Sequence, residues 1–308
     1  MVSRSLGEFF ALAAVFGWVV SALSFESAGR RIGSLPVNVI RLAMAALMLA
    51  LINAVRGLSP WPPGIGGRDV LWLLASGFVG FFLGDLFLFR SYLIIGSRMA
   101  MLIMSLSPPV SALLDRLVFG TRLTGPDAAG MALTMAGVTL AVSGRPRAGD
   151  GPPDDDASAA PPRPSRWIGY LLAFGGAAGQ SGGMILGKLG MMGHDALGAT
   201  FVRSLGGLAG FLPLVLLAGA APRVARGLRD GRAMARMSAG ALAGPVLGVS
   251  AILMAMRFTP AGVVSAITAI VPVVIILPSV LLFGDRVRIR EVIGAVLAVA
   301  GVVVLILT

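Results

Sequence analysis

The 308-residue sequence contains no cysteine. Disulfides, thiolate metal sites, haem attachment and cysteine nucleophiles are therefore excluded. It has a single histidine, His194, which excludes multi-histidine metal centres and histidine relays. Charge is also scarce, at 13% of residues, about half the share of an ordinary soluble domain. Against these absences stands 56% hydrophobic content and a mean hydropathy of +0.90. One soluble core of this size cannot bury that much apolar surface, so a soluble enzyme is excluded and the bilayer is the expected solvent. The net charge of +11 rests almost wholly on arginine, since Lys188 is the one lysine. In a membrane protein that excess belongs to loops and sets orientation, so no nucleic-acid partner is expected. Arginine in place of lysine, with abundant alanine and glycine, fits a GC-rich bacterial genome.

Apolar runs of about 20 residues suffice to cross a bilayer about 30 Å thick. Ten are present, at residues 7–28, 35–55, 70–91, 98–119, 125–143, 167–188, 195–219, 236–257, 261–283 and 289–307. The first is too long for a signal peptide and lacks a cleavage-like end. Residues 144–166 break the pattern, with six prolines, four aspartates and no large apolar side chain. That composition predicts a flexible linker, dividing the chain into 1–143 and 167–308.

The two parts repeat. "SPPVSALLDRLVFG" (107–120) aligns without a gap with "VPVVIILPSVLLFG" (271–284), pairing Pro108 with Pro272 at a separation of 164. Gly130 and Gly294, and Gly137 and Gly301, keep the same separation. Upstream the separation is 162, pairing Gly17 with Gly179, Glu26 with Lys188 and Arg41 with Arg203. A five-helix unit that starts on one side of a membrane ends on the other, so its fused copy is inserted upside down. The expected fold is all-α, with ten transmembrane helices as two inverted five-helix repeats, an architecture of secondary transporters with a midplane solute site.

"GDLFLFRSYLIIGSRMAMLIMSLSPPVSALLDRLVFGTRLTGPDAAGMALTMAGVTL" (84–140) and "RFTPAGVVSAITAIVPVVIILPSVLLFGDRVRIREVIGAVLAVAGVVVL" (257–305), with Trp18 after Gly17 and Arg41 early in the second helix, resemble the EamA-type transporters of the drug/metabolite transporter (DMT) superfamily. The resemblance spans nearly the whole chain outside the linker. It implies two EamA repeats and a cavity lined mainly by helices 3, 4, 8 and 9, with parts of 1 and 6. It also implies export or exchange of amino acids, other metabolites or toxic compounds. By the same resemblance, Trp18 and its mate Gln180 face the cavity at the position of the proton-binding glutamate of small multidrug resistance proteins. Neither is acidic here, which argues against that simple proton/drug antiport.

Asp85 lies near the centre of a span, where a lone carboxylate costs several kcal/mol unless it faces a cavity or a partner. It is a candidate solute or proton site, or a partner of Arg41 or a helix end. Glu26 and Arg41 occupy one layer and can pair, whereas their mates Lys188 and Arg203 are both cationic. Arg203 is thus a candidate for a solute carboxylate, or for a neighbouring one such as Asp195; the competing reading is snorkelling. Met101, Met104 and Ser105 on helix 4, and Thr268 on helix 9, are candidate solute contacts, with core packing the alternative for the methionines. Pro108 and Pro272 free backbone carbonyls within spans and suit paired gating kinks. Tyr92 reads as a cavity residue or an interfacial anchor. Gly80/Gly84 and Gly244/Gly248, mates at 164, predict close helix packing.

Two motif matches fail. Gly182–Leu189 resembles a P-loop, but Leu189 stands where the magnesium-binding hydroxyl belongs and no strand precedes it. Gly179-Gln180-Ser181-Gly182-Gly183 fits the G-x-S-x-G of serine hydrolases and resembles the nucleophile segment of an intramembrane serine protease. The sole possible base, His194, lies about 20 Å further along a continuous helix. No enzyme activity and no cofactor or metal are expected. Positive residues are more numerous on the side opposite the termini, which places the termini outside; the family resemblance places them inside and is followed. The reading is a multi-pass transporter of a bacterial inner membrane, a monomer or weak homodimer, exporting amino acids or related metabolites by alternating access. The alternative is an organic-cation/proton antiporter. Its partners are a small solute and lipid, with protons the candidate coupling ion.

Overall fold

In lipid a spanning segment must satisfy its backbone polar groups internally, and apolar runs of this length do so as helices. In the computed structural model every regular element among the described residues is helical. These residues are 2–95, 100, 103–104, 106–142, 166–274, 278 and 289–307; the predicted linker lies outside them. The order is α1 (Val2–Ile32), α2 (Ser34–Val55), α3 (Gly67–Gly77), the π-helical π1 (Phe78–Gly84), α4 (Asp85–Ile95), α5 (Ser107–Phe119), α6 (Gly125–Val142) and α7 (Arg166–Met191). Then come α8 (Ala196–Leu217), α9 (Ala221–Arg229), α10 (Gly231–Ala241), π2 (Leu242–Gly248), α11 (Val249–Ala255), α12 (Ala261–Thr268), α13 (Val271–Val274) and α14 (Ile289–Leu307). Among them, Ser5–Gly29, Leu35–Val55, Gly67–Leu88, Ala196–Leu217 and Gly231–Ala255 are long and apolar enough to cross a membrane.

Three details depart from the sequence expectation. The basic stretch after the seventh apolar run, expected as a loop, is helical: α9 carries Arg223, Arg226 and Arg229, and α10 follows it. The spans with Pro108 and Pro272 are broken rather than merely kinked. Leu106 is a turn before α5, which holds Pro108 in its first turn, and α12 ends two residues before α13. Proline lacks an N–H, so the first turn of a new helix is where it costs least. Finally, the third and eighth apolar runs each widen into a π-helix at matching positions. Phe78 to Leu242 and Gly84 to Gly248 are both 164 apart. Glycines at both sites, and Pro245 in π2 with no N–H to give, lower the cost of the wider turn.

The chain forms two units, Met1–Phe82 with Gly182–Thr259, and Leu83–Ser181 with Pro260–Thr308. The boundaries fall inside π1 and inside α7, so each unit combines segments from both sequence repeats. In the first unit, α1 packs on α10, π2 and α11, and α8 packs on α2 and α3. A Cβ at Gly77 would collide with the backbone of Arg203, and one at Gly206 with that of Leu74. Phe211 anchors a core of Val39, Leu42 and Val215 and meets Phe82 edge-on at 5.1 Å. In the second unit α6 lies on α14. A Cβ at Gly130 would sit 3.0 Å from the carbonyl oxygen of Gly301, and one at Gly137 2.7 Å from that of Gly294. The repeat mates thus face each other crosswise, 130 against 301 and 137 against 294. That is the contact pattern of antiparallel helices around a local twofold axis.

Candidate functional site

Repeat equivalence recurs inside the first unit. Gly183 lies on Gly80, a Cβ there falling 2.6 Å from the Gly80 Cα. The mates of this pair, Ser21 and Gly244, are likewise in contact. One turn on, Gly187 lies on Ser76, whose hydroxyl would be 3.0 Å from a Cβ at Gly187. Their mates are Phe25 and Gly240, and a Cβ at Gly240 would be 2.6 Å from the Phe25 ring. The equivalent contacts are therefore built from opposite side chains: a ring in one repeat, a bare backbone in the other.

The two mated arginines lie beside these contacts. Arg41 on α2 has its guanidinium carbon 5.9 Å from the centre of the Phe25 ring. Arg203 on α8 is 3% exposed and lies 4.9 Å from the centre of the Phe81 ring. Its guanidinium carbon rests against Gly187, where a Cβ would come within 3.2 Å, and Leu253 completes that wall. The Nε and Nη1 groups of Arg203 are buried and have no hydrogen-bond acceptor among the described residues. A buried, unsatisfied donor on a charged group costs several kcal/mol. The acceptors that sequence reasoning offered for it are engaged elsewhere or lie outside the described residues. Asp195 caps the start of α8, accepting from the N–H groups of Leu197 and Gly198, and pairs with Arg56 at 3.1 Å. Burial raises the Asp195 carboxyl, but the bonds from Arg56, Gly198 and Leu197 outweigh it and hold it below its ordinary value. The same pair raises Arg56. The Glu26 side chain lies outside the described residues, and Lys188 has an interaction of its own.

Trp18 is half-buried and packs over π2: a Cβ at Gly248 would stand 2.8 Å from its ring. Its mate Gln180, in the second unit, does something different. Its amide Nε2 donates to Oδ1 of Asp85 at 3.0 Å, and Asp85, at the first position after π1, is 7% exposed. The adjacent Ser181 donates to the carbonyl of Ser107 at 3.2 Å. Pro108 is buried, Met104 half-buried, and Thr268 buried with its hydroxyl on the Ser265 carbonyl at 3.0 Å. Met101 and Ser105 lie outside the described residues, as do the side chains of Tyr92 and Pro272. Sequence reasoning had not singled out Asp115. It is buried on α5, accepts from Thr121 at 2.8 Å, and takes the N–H of Ala261 at 3.2 Å, which caps α12. His194 bonds Asp69 at 3.1 Å.

Each unit thus buries ionisable side chains in its helices, Glu8 and Arg203 in the first and Asp85, Asp115 and Asp127 in the second. Among the described residues there is no cluster of metal-ligating side chains. No curated protein matches the chain. Among solved structures it is similar, with a TM-score of 0.71 and 18% identity, to one titled "Crystal structure of protein", covering 98% of this chain and 97% of that one. At that identity the likeness shows the fold alone. The model of the EamA-like transporter family matches twice, over residues 5–143 and 167–307, either side of the predicted linker. These two matches reproduce the repeat found from spacing alone, and with the apolar helices they make this a multi-pass membrane protein belonging to the EamA-like transporter family of the DMT superfamily.

Proposed function

We propose that the chain is a secondary transporter of a bacterial inner membrane that exports amino acids or related small metabolites by alternating access. The observation that carries this reading is Arg203, a buried guanidinium in a spanning helix with two donors lacking acceptors among the described residues. Ionisable groups inside membranes are costly and mark solute paths. We read Trp18, Asp85, Tyr92, Met101, Met104, Ser105, Gln180, Arg203 and Thr268 as solute contacts. Pro108 and Pro272 mark the helix breaks about which the spans move. Ten spans in two inverted repeats are the expected topology, supported by the antiparallel facing of α6 and α14 and by the matched π-helices. Counterflow in proteoliposomes, screened over amino acids, purines and organic cations, tests the reading. Exchange of amino acids supports it, and exchange of organic cations alone overturns the assignment of the solute.

Proton coupling is favoured by one observation, the Asp85 carboxylate held by Gln180. An Asp85→Asn variant keeps an oxygen for Gln180 and removes the charge; flux that stays as pH-dependent as wild type excludes that role. The protease reading finds no support, since Ser181 donates to a carbonyl oxygen and His194 bonds Asp69. Labelling of Ser181 by a fluorophosphonate would revive it. A C-terminal reporter fusion tests the orientation with both termini inside.

A further inference from the structure

The two repeats line one arginine position with different side chains, and Arg203 has one more buried donor without an acceptor among the described residues than Arg41 has. In the first repeat, Phe25 on α1 supplies a ring to Arg41, and Gly240 makes room for that ring. In the second repeat the mate of Phe25 is Gly187, and the mate of Gly240 is Ser76. With no side chain at 187, the Arg203 guanidinium settles on the backbone of α7, where even a Cβ would be only 3.2 Å away. Phe81 covers one face and Leu253 lines the side. The Ser76 hydroxyl donates to the Gly183 carbonyl at 2.5 Å.

We infer that Arg203 receives the single carboxylate of the transported solute, with Gly187 keeping the guanidinium in place and Phe81 and Leu253 favouring a small apolar body beside the carboxylate. This names the solute class within the transport reading above and rests on it. The chemistry of the donors selects the ligand. A guanidinium presents paired N–H groups that match a carboxylate in the plane of the group. One cation in an apolar wall matches one negative charge. A phosphate dianion or a dicarboxylate would leave charge uncompensated in a low-dielectric place. Nε and Nη1 are closed off in this conformation, so the carboxylate enters when α8 and the adjoining turn of α7 part, and it satisfies those donors when they close.

The carboxylate belongs either to an α-amino acid or to a plain monocarboxylic acid, and three probes separate them: leucine, isovalerate and leucinamide. Thermal unfolding of the full-length protein in detergent is measured with each, for wild type, Arg203→Gln, Arg203→Lys, Gly187→Ala and Arg41→Gln. The site predicts stabilisation by leucine or isovalerate and none by leucinamide. A shift by leucine alone assigns an amino acid; a shift by both assigns the monocarboxylate. Arg203→Gln weakens binding roughly ten- to hundred-fold, the value of a lost charged hydrogen-bond pair, and raises the melting temperature of the empty protein by removing a buried unpaired charge. Gly187→Ala weakens binding with the charge retained, and Arg41→Gln binds as wild type. A structural role would instead give an Arg203→Gln protein that melts lower and still responds to the probes, and that result overturns the inference. So does a wild type that responds to neither carboxylate, or equally to leucinamide. Carboxylate binding without any counterflow would overturn the transport reading while leaving the site intact.

Discussion

Arg41 and Arg203 occupy the same place in two copies of one ancestral unit, on helices of 22 residues each. They differ in what surrounds them. Arg41 has a ring from the preceding helix and an interaction of its own, and its Nε, like that of Arg203, is buried with no acceptor among the described residues. Arg203 has a ring from π1 and two donors without acceptors among the described residues. The same inversion holds along both helices. Asp195 caps α8 with its side chain, whereas its mate Gly33 stands before α2 at φ 86 with no side chain to offer. Gly77 lies under the backbone of Arg203, whereas its mate is Ala241, which already carries a Cβ. The Gln180–Asp85 pair has Trp18 and Val249 as mates, neither of them ionisable. Duplication copies the backbone plan, and divergence at a few contacts then decides what surrounds each buried side chain.

Breaking the tight contact gives the largest expected effect. Gly77→Ala forces a methyl into the Arg203 backbone and should cost about 3 kcal/mol, the upper range of overpacking. Ala241→Gly at the mated position should cost about 1 kcal/mol, the helix penalty of glycine. Denaturant titration of both variants checks the difference, and equal losses would mean that the two helix crossings are equally close. Next come the arginines. Arg203→Gln should lower carboxylate counterflow at least about tenfold, while Arg41→Gln should leave it at the wild-type rate. Equal loss in both would make the pair a symmetric structural feature. Asp85→Asn should preserve the fold, because an amide oxygen still accepts from Gln180, and should flatten the pH profile of transport; Val249→Asp at the mated position should not restore it.

The smallest effect concerns the cap. The Asp195 carboxyl is held below its ordinary value in the folded protein. Its stabilisation is therefore present above the unfolded carboxylate pKa of about 4 and is lost as pH falls through the lower folded value. The partner Arg56 is exposed, so the ion pair contributes less than about 1 kcal/mol. A melting curve followed from neutral pH downwards should show a loss in wild type that is absent in Asp195→Asn. An unchanged profile would mean that the two helix starts are equally stable despite their different caps.

Most of the plan was legible in advance because it follows from solvent and counting. Apolar runs of spanning length, a constant register at 162 and 164, and glycines at fourfold spacing led to helices, to the repeat and to the tight packing faces. Misreadings came where a local property competed with the pattern. The arginine-rich stretch around Arg226 looked like a loop by charge, yet it folds as an amphipathic helix with its basic residues exposed. The π-helices left no distinct periodicity, since a single wider turn shifts the apolar face without ending it. Of the candidate site, Asp85, Gln180 and Arg203 were legible from polarity within spans. Phe81, Ser76 and Gly187 were not, because a phenylalanine, a serine and a glycine are unremarkable in a membrane helix until something lies beside them.

By itself, then, the sequence determined the solvent, the helical class, the duplication and the scarcity of buried charge, because each depends on composition or on spacing along one chain. Only the tertiary structure decided which charge is satisfied. Asp195 was free to face Arg203 and instead went to Arg56, and Gln180 went to Asp85. Hydrogen bonds between groups 95 or 139 positions apart depend on how helices cross, and backbone contacts at glycines such as Gly77, Gly183 and Gly187 set that crossing to within a fraction of a side chain.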